Sequence, residues 1–201
     1  MLSLNCNTMK PRFILILTLL LSGEMLNANP MFFEMPVQFR SLQKYENSDG
    51  MQFEAKIFRS KDMLRIEPLL TEAHGGYTII NISKKIVYLI FPQKKQYLYY
   101  PYPGVSLNKS VIDDTLLFIT TPLELIPVYQ FSPSKLFSIK ADGDSYELEL
   151  DEHKRVPKAL KRTENDFWTS VKWIDFVEEP IDSSLFSIPN GFVDVSPTPQ
   201  P

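Results

Sequence analysis

From residue 37 onward, apolar and polar positions alternate or cluster in short runs broken by turn chemistry, which is the pattern of strands rather than of long helices. Residues 37–46 and 51–59 flank Asn47-Ser48-Asp49-Gly50, and an Asp-Gly pair between two such runs is a strong hairpin signal. Ser60-Lys61-Asp62 turns the chain into residues 63–68, and Glu72-Ala73-His74-Gly75-Gly76 leads into 77–82. Ser83-Lys84 then feeds 85–91, and Pro92-Gln93-Lys94-Lys95 precedes 96–100. These six runs predict an antiparallel meander. Residues 136–141, 145–151, 156–163 and 170–178 predict four more strands, and about ten strands in one open sheet calls for strong curling.

The faces of these strands differ along the chain. Phe53, Ala55 and Ile57 alternate with Gln52, Glu54 and Lys56, as in a sheet with one wet face. Residues 77–82, 86–91 and 97–100 are apolar or aromatic on both sides, so both of their faces need cover. Residues 107–129 supply a candidate layer. Val111, Ile112, Thr115, Leu116 and Ile119 fall at helical spacing, and Thr121-Pro122-Leu123-Glu124 reads as a capping box that restarts a helix over 122–126. Pro127 ends that piece. The expected fold class is therefore α+β: a strongly curved antiparallel half-barrel wrapped around a few short, proline-bounded helices. A dry core completed by those helices and an apolar pocket enclosed by them are both compatible with the pattern.

The N-terminus changes the picture of where the protein works. Met9-Lys10-Pro11-Arg12 places two positive charges ahead of the apolar run 13–21, and small residues follow near Ala28, the layout of a secretory leader. The run is shorter than the roughly 20 residues a bilayer span requires. Residues 1–28 are thus expected to be a signal peptide, 29–195 one domain, and 196–201 (Ser-Pro-Thr-Pro-Gln-Pro) a Pro-rich tail. The single cysteine, Cys6, would leave with the leader, which removes disulfides and thiol nucleophiles from consideration. Losing Lys10, Arg12 and Glu24 takes the formal charge from -3 to -4, and mild acidity argues against nucleic acid as partner.

Catalytic chemistry is hard to assemble from what remains. His74 and His153 are the two histidines, one in a Gly-flanked loop and one in a charged turn. No Gly-rich phosphate loop, metal-ligand spacing or nucleophile elbow is present. The acidic pairs Asp113-Asp114 and Glu178-Glu179 are adjacent in sequence, so their side chains diverge on either a helix or a strand. No catalytic residue, metal or cofactor is expected.

Four stretches in order carry a family resemblance. Residues 55–67 (Ala-Lys-Ile-Phe-Arg-Ser-Lys-Asp-Met-Leu-Arg-Ile-Glu) look like a strand, a turn and an x-x-R-x-E element. A hairpin follows through Thr78-Ile79-Ile80-Asn81 and Lys85-Ile86-Val87-Tyr88-Leu89-Ile90-Phe91-Pro92 to Tyr97. Leu148-Glu149-Leu150-Asp151 with Val156-Pro157 and Leu160 forms the third stretch, and Val171-Lys172-Trp173-Ile174-Asp175-Phe176 with Asp182-Ser183-Ser184-Leu185-Phe186-Ser187-Ile188-Pro189-Asn190-Gly191-Phe192 the last. Together these resemble the LolA/LolB-like superfamily, nearest to its small relatives of unassigned function. The resemblance implies a bent sheet around helices with an apolar cavity between them, a periplasmic location, and a noncatalytic binder or carrier of lipid or of the acyl chains of lipoproteins.

On that reading the candidate cavity residues are Tyr88, Ile90, Tyr97, Tyr99, Leu116, Phe118, Leu123 and Leu125, with Arg65 as a possible lid or headgroup contact. The partners implied are a lipid or an acylated lipoprotein, with the protein itself a monomer. A rival of another class is an envelope sensor or assembly protein that uses the same scaffold to contact a second protein.

Overall fold

Asn47 shows how the sequence builds its hairpins. Its side-chain Oδ1 accepts from the backbone N–H groups of Asp49 and Met51 at 3.1 and 3.0 Å, and Gly50 takes the positive φ of +80° that closes the turn. The strands on either side are β2 (Gln38–Asn47) and β3 (Gln52–Ser60). A computed structural model describes residues 31–69, 75–101, 123–128, 136–141, 144–153 and 156–197. The meander continues through β4 (Met63–Pro68), β5 (Tyr77–Asn81), β6 (Ile86–Phe91) and β7 (Gln96–Pro101). The second series comprises β8 (Leu123–Pro127), β9 (Leu136–Ala141), β10 (Asp144–Leu150), β11 (Pro157–Glu164) and β12 (Phe167–Val177). Two short strands, β1 (Met31–Phe33) and β13 (Val193–Asp194), form the outer edges.

All thirteen strands of the described residues belong to one sheet in the order β1-β8-β9-β10-β11-β12-β2-β3-β4-β5-β6-β7-β13. Every pairing is antiparallel except that of β13 with β7. Chain length shows that this sheet is not flat. Six strand spacings lie between β1 and β2, roughly 29 Å in a flat sheet. The five steps from Phe33 to Gln38 reach at most about 18 Å. The sheet therefore rolls, and residues 34–37 cross its concave side.

The roll buries one continuous apolar face. Register places Phe137, Leu148, Leu160, Val171 and Tyr45 side by side across β9, β10, β11, β12 and β2. Ile57, Leu64, Ile80 and Val87 continue that surface on β3 to β6, and all nine residues belong to one buried cluster. The outer face is wet and charged. Its register sets Glu147 opposite Lys161, Lys44 opposite Glu54 and Lys56 opposite Glu67, while Lys172 meets Glu46 at 2.7 Å. A bulge at Asp175 (φ +52°) shifts the register of β12 and lets Phe176 stack on Phe39, with centroids 4.6 Å apart.

The expected α+β fold is not what forms. Among the described residues the only helical pieces are the 3-10 turns Pro92–Lys94 and Ser183–Phe186, and the architecture is an almost entirely β, single open sheet of thirteen strands. The expected helix over 122–126 is instead strand β8. There Leu123 and Leu125 point inward and Glu124 and Ile126 outward, so period two overrides the Thr-Pro-Leu-Glu capping signal. The expected helical stretch 110–119 lies outside the described residues. Where the core is described, the sheet's own side chains fill it.

Candidate functional site

Register propagates the inner face through the meander. Ile57 lies opposite Ile66, Ile66 opposite Thr78, Thr78 opposite Leu89, and Leu89 opposite Leu98. Leu64, Ile80 and Val87, one step further in on the same face, are fully buried. Phe53, Ile66, Leu89 and Leu98 are only half-buried, and Tyr100, opposite the buried Val87, is 40% exposed. Among the described residues the apolar lining thus continues from the closed core onto a part-buried lip along β3 to β7.

Four polar side chains enter this inner face on β2 and β3: Asn47, which closes the hairpin, and Ser41, Gln43 and Arg59. Ser41 donates to the carbonyl oxygen of Ile174 at 3.0 Å across the strand pair. Arg59, 8% exposed, donates through Nη1 to the carbonyls of Pro36 (3.1 Å) and Met35 (3.5 Å) and through Nε to that of Lys61 (3.2 Å). Burial pushes its guanidinium pKa below the ordinary value, against the opposing pull of Asp62 and Glu34. Nη1 thus holds the link that crosses the roll, and Nε the turn after β3. Gln43, 5% exposed between Trp173 and Ala55, has no hydrogen-bond partner for Nε2 among the described residues.

The outer face of β4 to β7 is occupied differently. Ile79 and Ile90 are buried at 1% and 0% yet stand apart from the inner cluster. The chain from Asp182 to Ser196 straps this side. Arg65 donates to Leu185 O and to Glu67 Oε1, both at 2.7 Å, with its guanidinium carbon 3.7 Å from the centre of the Tyr77 ring. At the sheet edge Val193 N reaches Lys95 O (2.9 Å), Val195 N reaches Tyr97 O (2.8 Å), and Tyr99 N donates to Ser196 Oγ (2.8 Å). Asp182 accepts from Ser184 N, and Asp194 from the Ser196 hydroxyl and N–H; these bonds lower both carboxyl pKa values. Desolvation, with Asp194 nearby, raises that of Tyr97.

The residues singled out from sequence are not brought together. Tyr88, Ile90, Tyr97 and Tyr99 lie on the outer, strapped face, with the Tyr88 and Tyr99 rings 6.1 Å apart. Leu123 and Leu125 lie on the inner face, buried in the core from β8. Leu116 and Phe118 fall outside the described residues. Arg65 faces outward and ties down the C-terminal strap. Sequence reasoning missed Gln43 and the lip residues Phe53, Ile66, Leu89 and Leu98. The signal that finds the lip is the alternation at Phe53, Ala55 and Ile57, carried through turn after turn by strand pairing.

Among the described residues these features define a class: an all-β protein built on one rolled sheet, with an apolar inner face that is only part-buried along β4 to β7 and strapped on the outside. No family model matches the chain, and no curated protein matches it. Among solved structures, an uncharacterized conserved protein from Thermus thermophilus matches over 81% of this chain and 91% of its own, with 14% identity and a TM-score of 0.54. That likeness shows a shared fold. A LolA superfamily protein from Nitrosomonas europaea is a more distant neighbour, at 7% identity over 77% of this chain and 92% of its own, with a TM-score of 0.44. PNGF-II in its C2 crystal form is similar over 80% of this chain but 31% of its own, with 12% identity and a TM-score of 0.41.

Proposed function

We propose that the protein is an exported, noncatalytic binder or carrier of acyl chains, taken from lipid or from lipid-modified protein, and that the chain lies along the inner lip of β3 to β7. The half-buried row Ile66, Thr78, Leu89 and Leu98, with Phe53 beside Ala55 on β3, carries this reading, because it extends an otherwise buried face that is apolar but for Thr78. Each methylene withdrawn from water onto such a surface contributes about 0.8 kcal/mol, so one acyl chain supplies ample driving force. The inner-face polar groups on β2 and β3 (Ser41, Gln43, Asn47 and Arg59) include no general base near neutral pH, which supports binding over catalysis. The N-terminal charge and apolar pattern supports export.

The test is mass spectrometry of the protein purified from a bacterial periplasm without detergent, comparing native spectra, denatured spectra and organic extracts. Stoichiometric lipid released on denaturation is the expected result, with loss of that lipid in Leu98→Asp. A clean apo mass that persists after incubation with lipid would overturn the reading.

A specific feature favours a second function, assembly with another protein. Phe32 (66% exposed) and Ile126 (51%) project from the outer face of the edge strand β1 and its neighbour β8, beside a groove of about 440 Å³ lined by residues 32–37 and Glu178. A stable partner retained by the wild type and lost with Phe32→Glu, while lipid content is unchanged, is what that reading expects.

A further inference from the structure

We propose that the side-chain amide of Gln43 is the polar recognition point of the inner-face site, donating through Nε2 to the carbonyl oxygen of an ester-linked acyl chain. This inference rests on the inner lip being an acyl-chain site and specifies the linkage that the site selects.

Gln43 lies on β2, the first strand of the meander, with Trp173 opposite on β12 and Ala55 opposite on β3. It is 5% exposed, and Nε2 has no acceptor among the described residues. A buried donor left unpaired costs about 1–3 kcal/mol, whereas an apolar side chain of the same shape would be close to neutral. A glutamine at the centre of an apolar face therefore implies an acceptor that arrives from outside the protein.

The row running outward from Gln43 passes through Ala55, 2% exposed, to the rim. Ala55 is the smallest side chain of the inner face on β3, and its partner on β4 is the exposed Pro68. The lip residues Phe53 and Ile66 lie diagonally beside that pair. Gln43 is thus two strand spacings, roughly 10 Å, from the rim, a distance that an acyl chain lying along Ile66 and Leu89 spans with its linkage near Ala55.

Charge decides the type of acceptor. A carboxylate or phosphate buried beside Gln43 would need a cation, and Arg59 sits four residues along β3 from Ala55, roughly 13 Å away, with three of its N–H groups on the carbonyls of Met35, Pro36 and Lys61. A neutral carbonyl suits a neutral amide donor. An ether oxygen, a poor acceptor with no carbonyl, would leave Nε2 unpaired.

The discriminating experiment measures binding of the purified protein to two lipids with identical chains and headgroup, dioleoyl phosphatidylglycerol and its dioleyl ether counterpart, presented as vesicles. The wild type is expected to bind the ester about tenfold more tightly than the ether, the loss of one hydrogen bond with its donor left buried. Gln43→Met, similar in shape and without donors, should bind both at one level. Equal binding of ester and ether by the wild type, a comparison that needs no variant to fold, overturns the proposal and leaves the acyl site standing, with a buried water as the partner of Nε2. An ester preference that persists in Gln43→Met also overturns it. Failure of the wild type to bind either lipid removes the acyl site itself.

Discussion

The Arg59 guanidinium donates to the carbonyl oxygen of Pro36 at 3.1 Å, which fastens the crossing link between β1 and β2 to the inside of the roll. That link closes six strand spacings with five residue steps, so the curvature of half the sheet depends on its path.

Arg59→Met removes three hydrogen bonds to buried or part-buried carbonyls and should cost about 2 kcal/mol in urea unfolding, with Arg59→Lys intermediate. An unchanged midpoint would mean that the link holds its path without the arginine.

Leu125, at 0% exposure, and Ile126, at 51%, are neighbours on opposite faces of β8. Leu125→Ala should cost about 3 kcal/mol, and Ile126→Ala should stay within about 0.5 kcal/mol. Similar costs at the two positions would contradict a strand at this site.

Much of this architecture can be read from residues alone. The Asp49-Gly50 turn, the alternation of residues 52–57 and the later turns mark ten of the thirteen strands close to where they form. The three missed strands have physical reasons. β1 and β13 are three and two residues long and exist because a distant edge accepts them, and β8 hides its alternation behind a capping signal. The inner face was not legible on the strands that are apolar on both sides. Ile79 and Ile90 are buried as deeply as Ile80, and what separates them is a strap more than 90 residues away in sequence. Gln43 gives no local signal at all, since its burial follows only from the roll.

Arg65 ties the strap to β4, so Arg65→Ala should raise amide hydrogen exchange across residues 183–196 and across Ile79 and Ile90 beneath, while the inner-face strands β10 to β12 keep their protection. Exchange that rises uniformly would show that the strap and the sheet open as one unit.

The strap should also respond to acid. The carboxyl groups of Asp182 and Asp194 sit below the ordinary aspartate value while docked, because they accept hydrogen bonds from Ser184 and Ser196. Their contribution is therefore present above the free value of about 3.9 and is lost as pH falls through the lower docked values. Exchange or proteolysis of residues 182–196 should increase below about pH 4 in the wild type. In the Asp182→Asn, Asp194→Asn double variant that step should be absent, and a step that remains would assign it to other groups.

The most direct test of the central claim is photo-crosslinking with a diazirine-bearing fatty acyl ester, followed by peptide mapping of the labelled residues. The account predicts label on the peptides that carry Phe53, Ile66, Leu89 and Leu98, with label at Leu89 exceeding that at its outward neighbour Tyr88 when resolved by fragmentation. Label confined to the outward Tyr88 and Tyr99, or spread evenly over both faces of β6 and β7, would contradict it.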